Sequence, residues 1–224
     1  ARLILQNKPS LEVEAANFIT EGFETADKTL AGACEILIEA FSEDNQLRSW
    51  VYNEIWSYSS IISTVKDEAA DDNKTFQIYY DFSEKVSKIQ GYRILALNRG
   101  EKLGILKVGF EHNIDKMVRF MGARFKNKNA YIDDVIAKTI KKKIVPAMER
   151  RVHSELTESA EDGAIELFSE NLRNLLLVSP LKGKMVLGFD PAFRTGAKLA
   201  VVDQTGKLMT TQVIYPVPPA SQAK

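Results

Sequence analysis

The strongest chemical signal in this sequence is a basic stretch between residues 124 and 151. It holds nine basic residues against three acidic ones, a net charge of +6. Four of its lysines crowd residues 138–143 while isoleucines recur at 136, 140 and 144, which predicts a basic amphipathic helix. Such a face can bind the phosphates of nucleic acid, although a solvated surface is the commoner explanation of the pattern. The basic residues are Arg124, Lys126, Lys128, Lys138, Lys141, Lys142, Lys143, Arg150 and Arg151.

Other residues with reactive side chains are few. Asp71 and Asp72, in the polar loop 66–75, are candidate metal ligands, although solvated surface charge explains them more simply. Cys34 is the single cysteine and falls on an apolar helical stripe, so we expect a buried core thiol rather than a nucleophile. Two histidines, His112 and His153, leave little basis for a histidine-ligated metal or a catalytic triad.

The formal net charge of zero hides an uneven distribution along the chain. Residues 1–72 carry a net charge of −9, residues 73–151 of +10 and residues 152–224 of −1. This asymmetry indicates either a polyanionic partner or an internal docking of the acidic part on the basic part.

The composition is that of an ordinary soluble globular protein, with 45% apolar and 27% charged residues, which excludes a disordered or collagen-like chain. No apolar run is long enough to cross a membrane, and the first residues lack the pattern of a signal peptide. One cysteine allows no internal disulfide and no cysteine-ligated zinc site. We therefore expect a cytoplasmic protein without membrane contact.

The first two thirds of the chain read mainly as helices. Ser10, Thr25 and Ser42 are predicted N-caps of three amphipathic helices. A short strand is predicted at 76–80, a brief helix from Ser83, a helix at 91–103 and a second strand at 104–110.

The clearest helix is predicted between residues 149 and 178, because apolar or small residues recur there every three or four positions. At 1.5 Å per residue it would be a rod of about 45 Å. Ala160, Gly163 and Ala164 at its middle would let another backbone approach closely. A rod that is amphipathic throughout must be covered by shorter helices, so residues 1–180 are interpreted as one helical scaffold with a small strand insert near 76–110.

The pattern changes at Leu181, where three runs rich in β-branched residues begin. The second and third are joined by the turn residues 203–206 and form a predicted hairpin. A three-stranded ribbon without a covering helix cannot bury both faces, so we expect a chain cut off within a domain. The predicted fold class is mainly α, a multi-helix scaffold with a long central helix followed by a truncated three-stranded β start.

Several long sequence runs resemble one protein family. The run VLGFDPAFRTGAKLAVVDQTGKL is similar to the opening of a YqgF-type, ribonuclease-H-like domain. The runs MERRVHSELTESAEDGAIELFSENLRNLLLVSPLKGKMVLGFDPAFRTGAK and DFSEKVSKIQGYRILALNRGEKLGILKV resemble the central region of the Tex family of bacterial transcription accessory proteins. On this basis residues 1–180 are interpreted as a Tex-like helical region and residues 181–224 as the first strands of an incomplete YqgF-like domain.

The Tex resemblance implies a multidomain, mostly helical cytoplasmic protein that binds RNA or DNA and influences transcription. Family members carry a helix-turn-helix before the YqgF-like domain, with helix-hairpin-helix modules and an OB-fold after it. This chain is expected to start after the beginning of that N-terminal region and to stop inside the YqgF-like domain. The implied partners are nucleic acid and the transcription machinery. The preference between RNA and DNA and the oligomeric state stay open.

The YqgF resemblance gives Asp190 a possible role. An aspartate that ends the first strand of a ribonuclease-H-like sheet usually helps to hold a pair of Mg²⁺ ions, which need several converging carboxylates. No acidic residue follows Asp203, and Asp203 lies in a turn, so this chain is expected to be non-catalytic and to hold no metal or other cofactor. Arg194, in the turn after the first strand, is predicted to contact phosphate or to pair with Asp190.

Three functions therefore compete. The first is a nucleic-acid-binding transcription accessory factor whose basic face is residues 124–151. The second is an interaction scaffold in which acidic and basic parts dock on each other or on polymerase. The third is part of a Mg²⁺-dependent nuclease of the resolvase kind, with Asp190 as its first ligand.

Overall fold

A computed structural model describes residues 1–8, 10–126, 129–179, 181–192 and 195–215. The chain divides into two compact units, Ala1–Leu167 and Phe168–Lys224. The first is helical with a small antiparallel sheet, and the second carries another three-stranded antiparallel sheet. The predicted fold class, mainly α with a long central helix and a small β start after it, is confirmed. None of the helices described is long and apolar enough to span a membrane.

Four helices open the first unit, and their N-caps test the sequence predictions. The hydroxyl of Thr25 accepts a hydrogen bond from the Lys28 backbone N–H at 3.2 Å, as expected for an N-cap. Ser42 does not cap the next helix; it is the last residue of α3, and the carboxylate of Asp44 caps α4 by accepting from Leu47 N–H at 2.9 Å. Ser10 precedes α2 without a side-chain capping bond. The helices are α1 (Arg2–Leu5), α2 (Leu11–Ala16), α3 (Ala26–Ser42) and α4 (Asn45–Tyr58).

The sheet of the first unit has the order β2-β1-β3 with antiparallel neighbours. Its central strand β1 (Ser60–Val65) lies before the region in which strands were predicted, whereas β3 (Leu106–Glu111) agrees with the prediction. The strand predicted at 76–80 is wrong, because a 3₁₀ turn (Gln77–Tyr79) occupies that position. The helix predicted from Ser83 is wrong as well, because β2 (Asp81–Lys85) pairs there with β1.

Helix α5 (Gly91–Lys102) joins β2 to β3. Two further helices, α6 (Ile114–Gly122) and α7 (Ala130–Lys138), and a π-helical turn (Thr139–Ile144) connect the sheet to the long helix α8, which runs from Val145 to Leu176. The predicted close approach at the middle of the long helix is confirmed at Ala160. A Cβ on Gly91 would lie 3.2 Å from the Cα and the Cβ of Ala160, so glycine lets the start of α5 contact α8.

The hydrophobic core lies where α3, α4, α6, α7 and the first half of α8 meet the sheet. Cys34 is buried in it, and burial raises the pKa of its thiol, which confirms the expected core cysteine. Along α8 the buried residues are Val145, Met148, Val152 and Ala160. From residue 161 to 179 every side chain is exposed, so the expectation that shorter helices cover the whole rod is wrong for the described residues. The apolar periodicity continues through residues 161–179, so it could not show that only the first half of α8 is buried.

The second unit contains β4 (Val186–Asp190), β5 (Ala197–Val202) and β6 (Leu208–Ile214), in that order and antiparallel. The predicted hairpin turn is confirmed. The Asp203 carboxylate accepts hydrogen bonds from the backbone N–H groups of Thr205 and Lys207 at 2.8 and 3.0 Å, which closes the turn between β5 and β6. These hydrogen bonds, with that from the Thr205 hydroxyl first among them, lower the pKa of Asp203.

Candidate nucleic-acid interface

The lysine-rich segment forms a π-helical turn anchored by two buried isoleucines. Ile140 and Ile144 are each 0% exposed, while the three lysines between them are exposed. In an α-helix, where residues lie about 100° apart, Lys141 and Lys143 would flank the buried isoleucines at the edge of the core. The wider π turn holds one more residue, so Lys141, Lys142 and Lys143 all face solvent. The predicted basic amphipathic segment is thus confirmed, with a π turn in place of a regular helix.

The core beneath the π turn fixes its position. Helix α3 packs against both α7 and the π turn, and the buried residues of α7 continue the same apolar surface. Thr139 begins the π turn and is fully buried, with no hydrogen-bond partner for its hydroxyl among the described residues. π turns are rare and are often found at functional sites. The three lysines are therefore held on a rigid, buried support rather than on a loop.

Three of the other predicted basic residues are neutralised by carboxylates within the first unit. Arg124 also lies 5.7 Å from the ring of Phe120, and Arg151 lies 4.7 Å from the ring of Tyr52. The contact of Arg151 with Tyr52 joins α8 to α4, and the three paired side chains offer less free charge than the sequence suggested. The ion pairs are Arg124 with Asp44 at 2.6 Å, Lys138 with Asp134 at 2.7 Å, and Arg151 with Glu155 at 2.8 Å.

The remaining predicted residues fall into three groups. Lys126 and the three lysines of the π turn are exposed, and none has an ion-pair partner in the part of the chain that the structure describes. Arg150 instead lines a groove that also contains several glutamates. Lys128 and Arg194 lie outside the described residues. The structure thus narrows the candidate residues to Lys126 and the three consecutive π-turn lysines, and we call these three π-turn lysines the lysine patch.

The acidic first third of the chain does dock partly on the basic middle. Arg124 on the segment after α6 pairs with Asp44 before α4, and Lys116 on α6 pairs with Glu54 of α4, whose side chain is 10% exposed. The hydroxyl of Tyr131 on α7 donates to Glu12 of α2 at 2.8 Å. Part of the charge asymmetry is thus explained by internal contacts, and the lysine patch takes part in none of these three.

Aromatic side chains, among them the partly buried Trp50 and Trp56, hold the same helices together. The rings of Trp50 on α4 and Phe120 on α6 stack with 3.6 Å between centroids and 5° between planes. The ring centroids of Trp56 and Tyr52, one turn apart on α4, are separated by 6.0 Å. Trp50 and Phe120 are far apart in sequence, so no local pattern could have predicted their contact.

Of the two aspartates considered as metal ligands, one is buried and hydrogen-bonded within its loop and the other is exposed. Asp71 is 6% exposed, and its carboxylate accepts hydrogen bonds from Thr75 N–H, Phe76 N–H and the Tyr80 hydroxyl at 2.8, 2.8 and 3.0 Å. Asp72 is exposed. Across the described residues no three His, Cys, Asp or Glu side chains come together in a way that could hold a metal ion. Asp71 is therefore a loop-organising residue, which corrects its interpretation as surface charge.

Asp190 occupies the position that the sequence predicted, the last residue of β4, where its cross-strand neighbour is Lys198. The carboxylate of Asp203 is already engaged in its own turn. A single carboxylate at Asp190 does not make a magnesium site, so the donor set in the described part of this sheet does not fit Mg²⁺. The pairing of Arg194 with Asp190 or with phosphate stays a prediction.

Comparison with known proteins shows which family this chain belongs to. The family described as Tex central region-like matches residues 6–168, and the Tex protein YqgF-like domain matches residues 184–224. The chain belongs to the Tex family. The resemblance stated from the sequence is thereby confirmed for both parts of the chain.

Relatives of the Tex chain come from bacteria and animals. It is 40% identical over 99% of its length to the uncharacterized protein YdcI of Bacillus subtilis, of which it covers 32%. It is 30% identical over 95% of its length to the transcriptional accessory protein Tex of Neisseria gonorrhoeae, covering 30% of it. With the S1 RNA-binding domain-containing protein 1 of Homo sapiens the identity is 29% over 96% of the chain, covering 23%. The chain thus spans a third or less of the length of these relatives.

One partly buried ionisable pair in this Tex chain does not belong to the lysine patch. His112, whose side chain is 5% exposed, has its Nε2 atom 3.5 Å from the Glu149 Oε1 atom. Its Nδ1 atom is buried and has no hydrogen-bond partner among the described residues. Burial lowers the pKa of His112 and raises the pKa of Glu149, whose ionised form the charge of Arg150 favours in turn.

We expect Glu149→Gln to increase the free energy of unfolding at neutral pH, by no more than about 1 kcal/mol. The pKa of Glu149 is higher in the folded than in the unfolded state, so the protonated carboxyl favours folding. This contribution is fully present below the unfolded pKa and is lost as the pH rises through the folded pKa, where the carboxylate becomes ionised. The gain from the glutamine should therefore shrink on acidification. Denaturant unfolding across this pH range measures it, with Glu166→Gln on the exposed part of α8 as the control. A gain that grows on acidification would contradict the assignment.

Proposed function

We propose that the helical unit of this Tex-family chain binds the phosphate backbone of RNA or DNA through the lysine patch, as part of a transcription accessory factor. The observation that carries the proposal is the π turn, which presents three consecutive exposed lysines without a carboxylate partner among the described residues. Support also comes from the names of two relatives, a transcriptional accessory protein and an S1 RNA-binding domain-containing protein.

The chemistry of the patch favours binding without sequence preference. Lysine ammonium groups are flexible point charges that contact phosphate oxygens, whereas base edges are usually read by arginine, asparagine and glutamine. Arg124 and Arg151 are held by Asp44 and Glu155 and are thereby withdrawn from such readout. Binding should therefore depend strongly on salt and weakly on sequence.

The test compares the chain with its Lys141→Gln/Lys142→Gln/Lys143→Gln variant, titrated with single-stranded RNA and with duplex DNA of equal length at several salt concentrations. We expect about tenfold weaker binding at low salt for the variant. The slope of log K against log salt should fall by about 0.9 per lost contact for duplex and about 0.7 for single strands.

A matched control removes the same charge elsewhere on the helical unit, by Lys66→Gln/Lys88→Gln/Lys102→Gln at exposed positions. This control should bind nearly as well as the parent chain. Equal losses in both triple variants would indicate a diffuse effect of net charge, and no loss in the π-turn variant would refute the proposed surface.

The other two functions suggested by the sequence have less support. A nuclease needs several converging carboxylates, and the described part of the YqgF-like sheet offers Asp190 alone at the expected position. A scaffold for the transcription machinery fits the internal ion pairs between Arg124 and Asp44 and between Lys116 and Glu54, but these pairs are contacts within the chain. If the triple glutamine variant of the π turn is folded but no longer binds nucleic acid, the lysines serve binding; if it still binds, the scaffold is favoured.

A further inference from the structure

A groove of about 680 Å³ lies between the outer edge of β3 and helix α8, within the helical unit. Its walls are residues 108–110 of β3, Asn98 and Glu101 of α5, and α8 from Glu149 to Glu161. At 1.5 Å per helical residue this stretch of α8 is about 18 Å long, the length of about five residues in an extended strand. The groove therefore has the length of a short peptide strand.

The strand that lines the groove has an open edge. In the described sheet β3 pairs on one side with β1, and its other side faces the groove. The backbone N–H of Val108 points to that side, because it donates to the Glu101 carboxylate at 3.3 Å rather than to β1. In an antiparallel ladder this direction alternates along the strand, so the backbone groups of Phe110 point into the groove as well.

The sheet face beside the centre of this edge is open. Gly109 lies between Val108 and Phe110, and a Cβ built on it would point out of the sheet and meet no atom within 4 Å. A glycine inside a strand often marks a place where another chain approaches closely. Glu101 meanwhile satisfies the outward N–H of Val108 in the free chain, as side chains at sheet edges often do to prevent unwanted pairing.

The charges on the walls indicate which peptide would fit. Four glutamates line the groove against one arginine, Arg150. His153 and Asn98, which also line the groove, are hydrogen-bonded to each other at 2.8 Å and are held by the structure itself. An incoming strand that displaced Glu101 from Val108 would free this carboxylate to meet a basic side chain. The glutamates are Glu101, Glu149, Glu158 and Glu161.

We propose that this groove binds an extended, basic segment of a partner protein, which adds to β3 as a fourth strand. Main-chain hydrogen bonds to Val108 and Phe110 would supply the affinity, and the glutamates of α8 would select lysine or arginine side chains. Nucleic acid is the wrong occupant for this groove, since the carboxylates would repel its phosphates. The site is separate from the lysine patch, so either proposal can fail without the other.

The test uses isothermal titration calorimetry with the peptide acetyl-Lys-Val-Lys-Val-Lys-Val-Lys-amide and the intact chain. The peptide acetyl-Lys-Val-Lys-Pro-Lys-Val-Lys-amide is the control, because proline removes a ladder donor while the charge is unchanged. We expect the first peptide to bind and the second to bind at least about tenfold more weakly. Equal binding of both peptides, or binding of neither, would overturn the proposal.

Two variants locate the site. Glu158→Gln/Glu161→Gln should weaken peptide binding about fivefold, whereas Glu166→Gln/Glu170→Gln, farther along the same helix, should leave it unchanged. Val108→Pro removes the outward N–H and should abolish binding, provided that circular dichroism shows an unchanged fold. The glutamate pair needs no such proviso because both side chains are exposed. Equal effects of the two glutamate pairs, or a chain that pairs with a second copy of itself through β3, would refute the assignment.

Discussion

Replacing Asp71 by alanine is expected to reduce the free energy of unfolding of the helical unit by about 3 kcal/mol. The carboxylate accepts three hydrogen bonds, two of them from backbone N–H groups of Thr75 and Phe76, and it is almost fully buried. Alanine would leave these donors without a partner in a place that water reaches poorly. Such unsatisfied donors cost about 1 to 3 kcal/mol each when the structure cannot relax around them.

The neighbouring Asp72 provides a matched control, since it lies in the same loop but is exposed. Asp72→Ala should change the free energy of unfolding by less than about 0.5 kcal/mol. Denaturant unfolding followed by far-ultraviolet circular dichroism measures both variants. Similar values for the two would show that Asp71 does not organise the loop.

Asp71→Ala should also change how the stability of the helical unit depends on alkaline pH. Burial, reinforced by the hydrogen bond to Asp71, raises the pKa of Tyr80 to about 12. Because this pKa lies above the unfolded value of about 10, the stabilisation is fully present below pH ~10 and is lost as the pH rises through about 12. Asp71→Ala removes one cause of the shift, so less stability should remain to be lost over this range.

Truncation of Ile140 to alanine is expected to have a comparable effect, a loss of about 2 to 5 kcal/mol. The side chain is fully buried beneath the π turn, and its removal would leave a cavity where α3 packs against this turn. Ile140→Val should cost less, about 0.5 to 1.5 kcal/mol, because one methylene is lost. Ile165→Ala, at an exposed position of α8, is the control and should be nearly neutral.

The Ile140 series also tests what holds the lysine patch in place. If the buried isoleucines support the π turn, the alanine variant should weaken nucleic-acid binding as well as stability, under conditions in which the chain is still folded. Loss of stability with unchanged binding would show that the lysines act without this support.

Most of the fold follows from local patterns, and the exceptions have identifiable physical causes. The long helix and the final hairpin were predicted because apolar spacing and turn residues agree there over many positions. The strand predicted at 76–80 failed because Asp71 bonds to the backbone of Thr75 and Phe76, which bends the alternating run into a 3₁₀ turn. Strand β1 was missed because Ser60–Val65 follows α4 after a single residue, with no break in the pattern.

The candidate site was predicted in outline and not in detail. The sequence located the basic segment and its buried isoleucines, since both are local features. It did not show that Arg124 is neutralised, because its partner Asp44 is selected by tertiary packing. The pair of Arg151 with Glu155 is instead an i,i+4 contact on the long helix, a local signal that the sequence does contain. The sequence showed no sign of the groove beside β3, which exists only once α8 lies next to the sheet.

The stacked aromatic rings of α4 have a consequence for how this protein can be observed. Both tryptophans of the chain, Trp50 and Trp56, belong to this one helix. Intrinsic tryptophan fluorescence therefore reports on the helical unit alone and is silent about the YqgF-like sheet. Since Trp50 lies against Phe120 at 3.6 Å, separation of α4 from α6 would alter its emission directly. A single chain thus carries its own optical reporter for one of its two units.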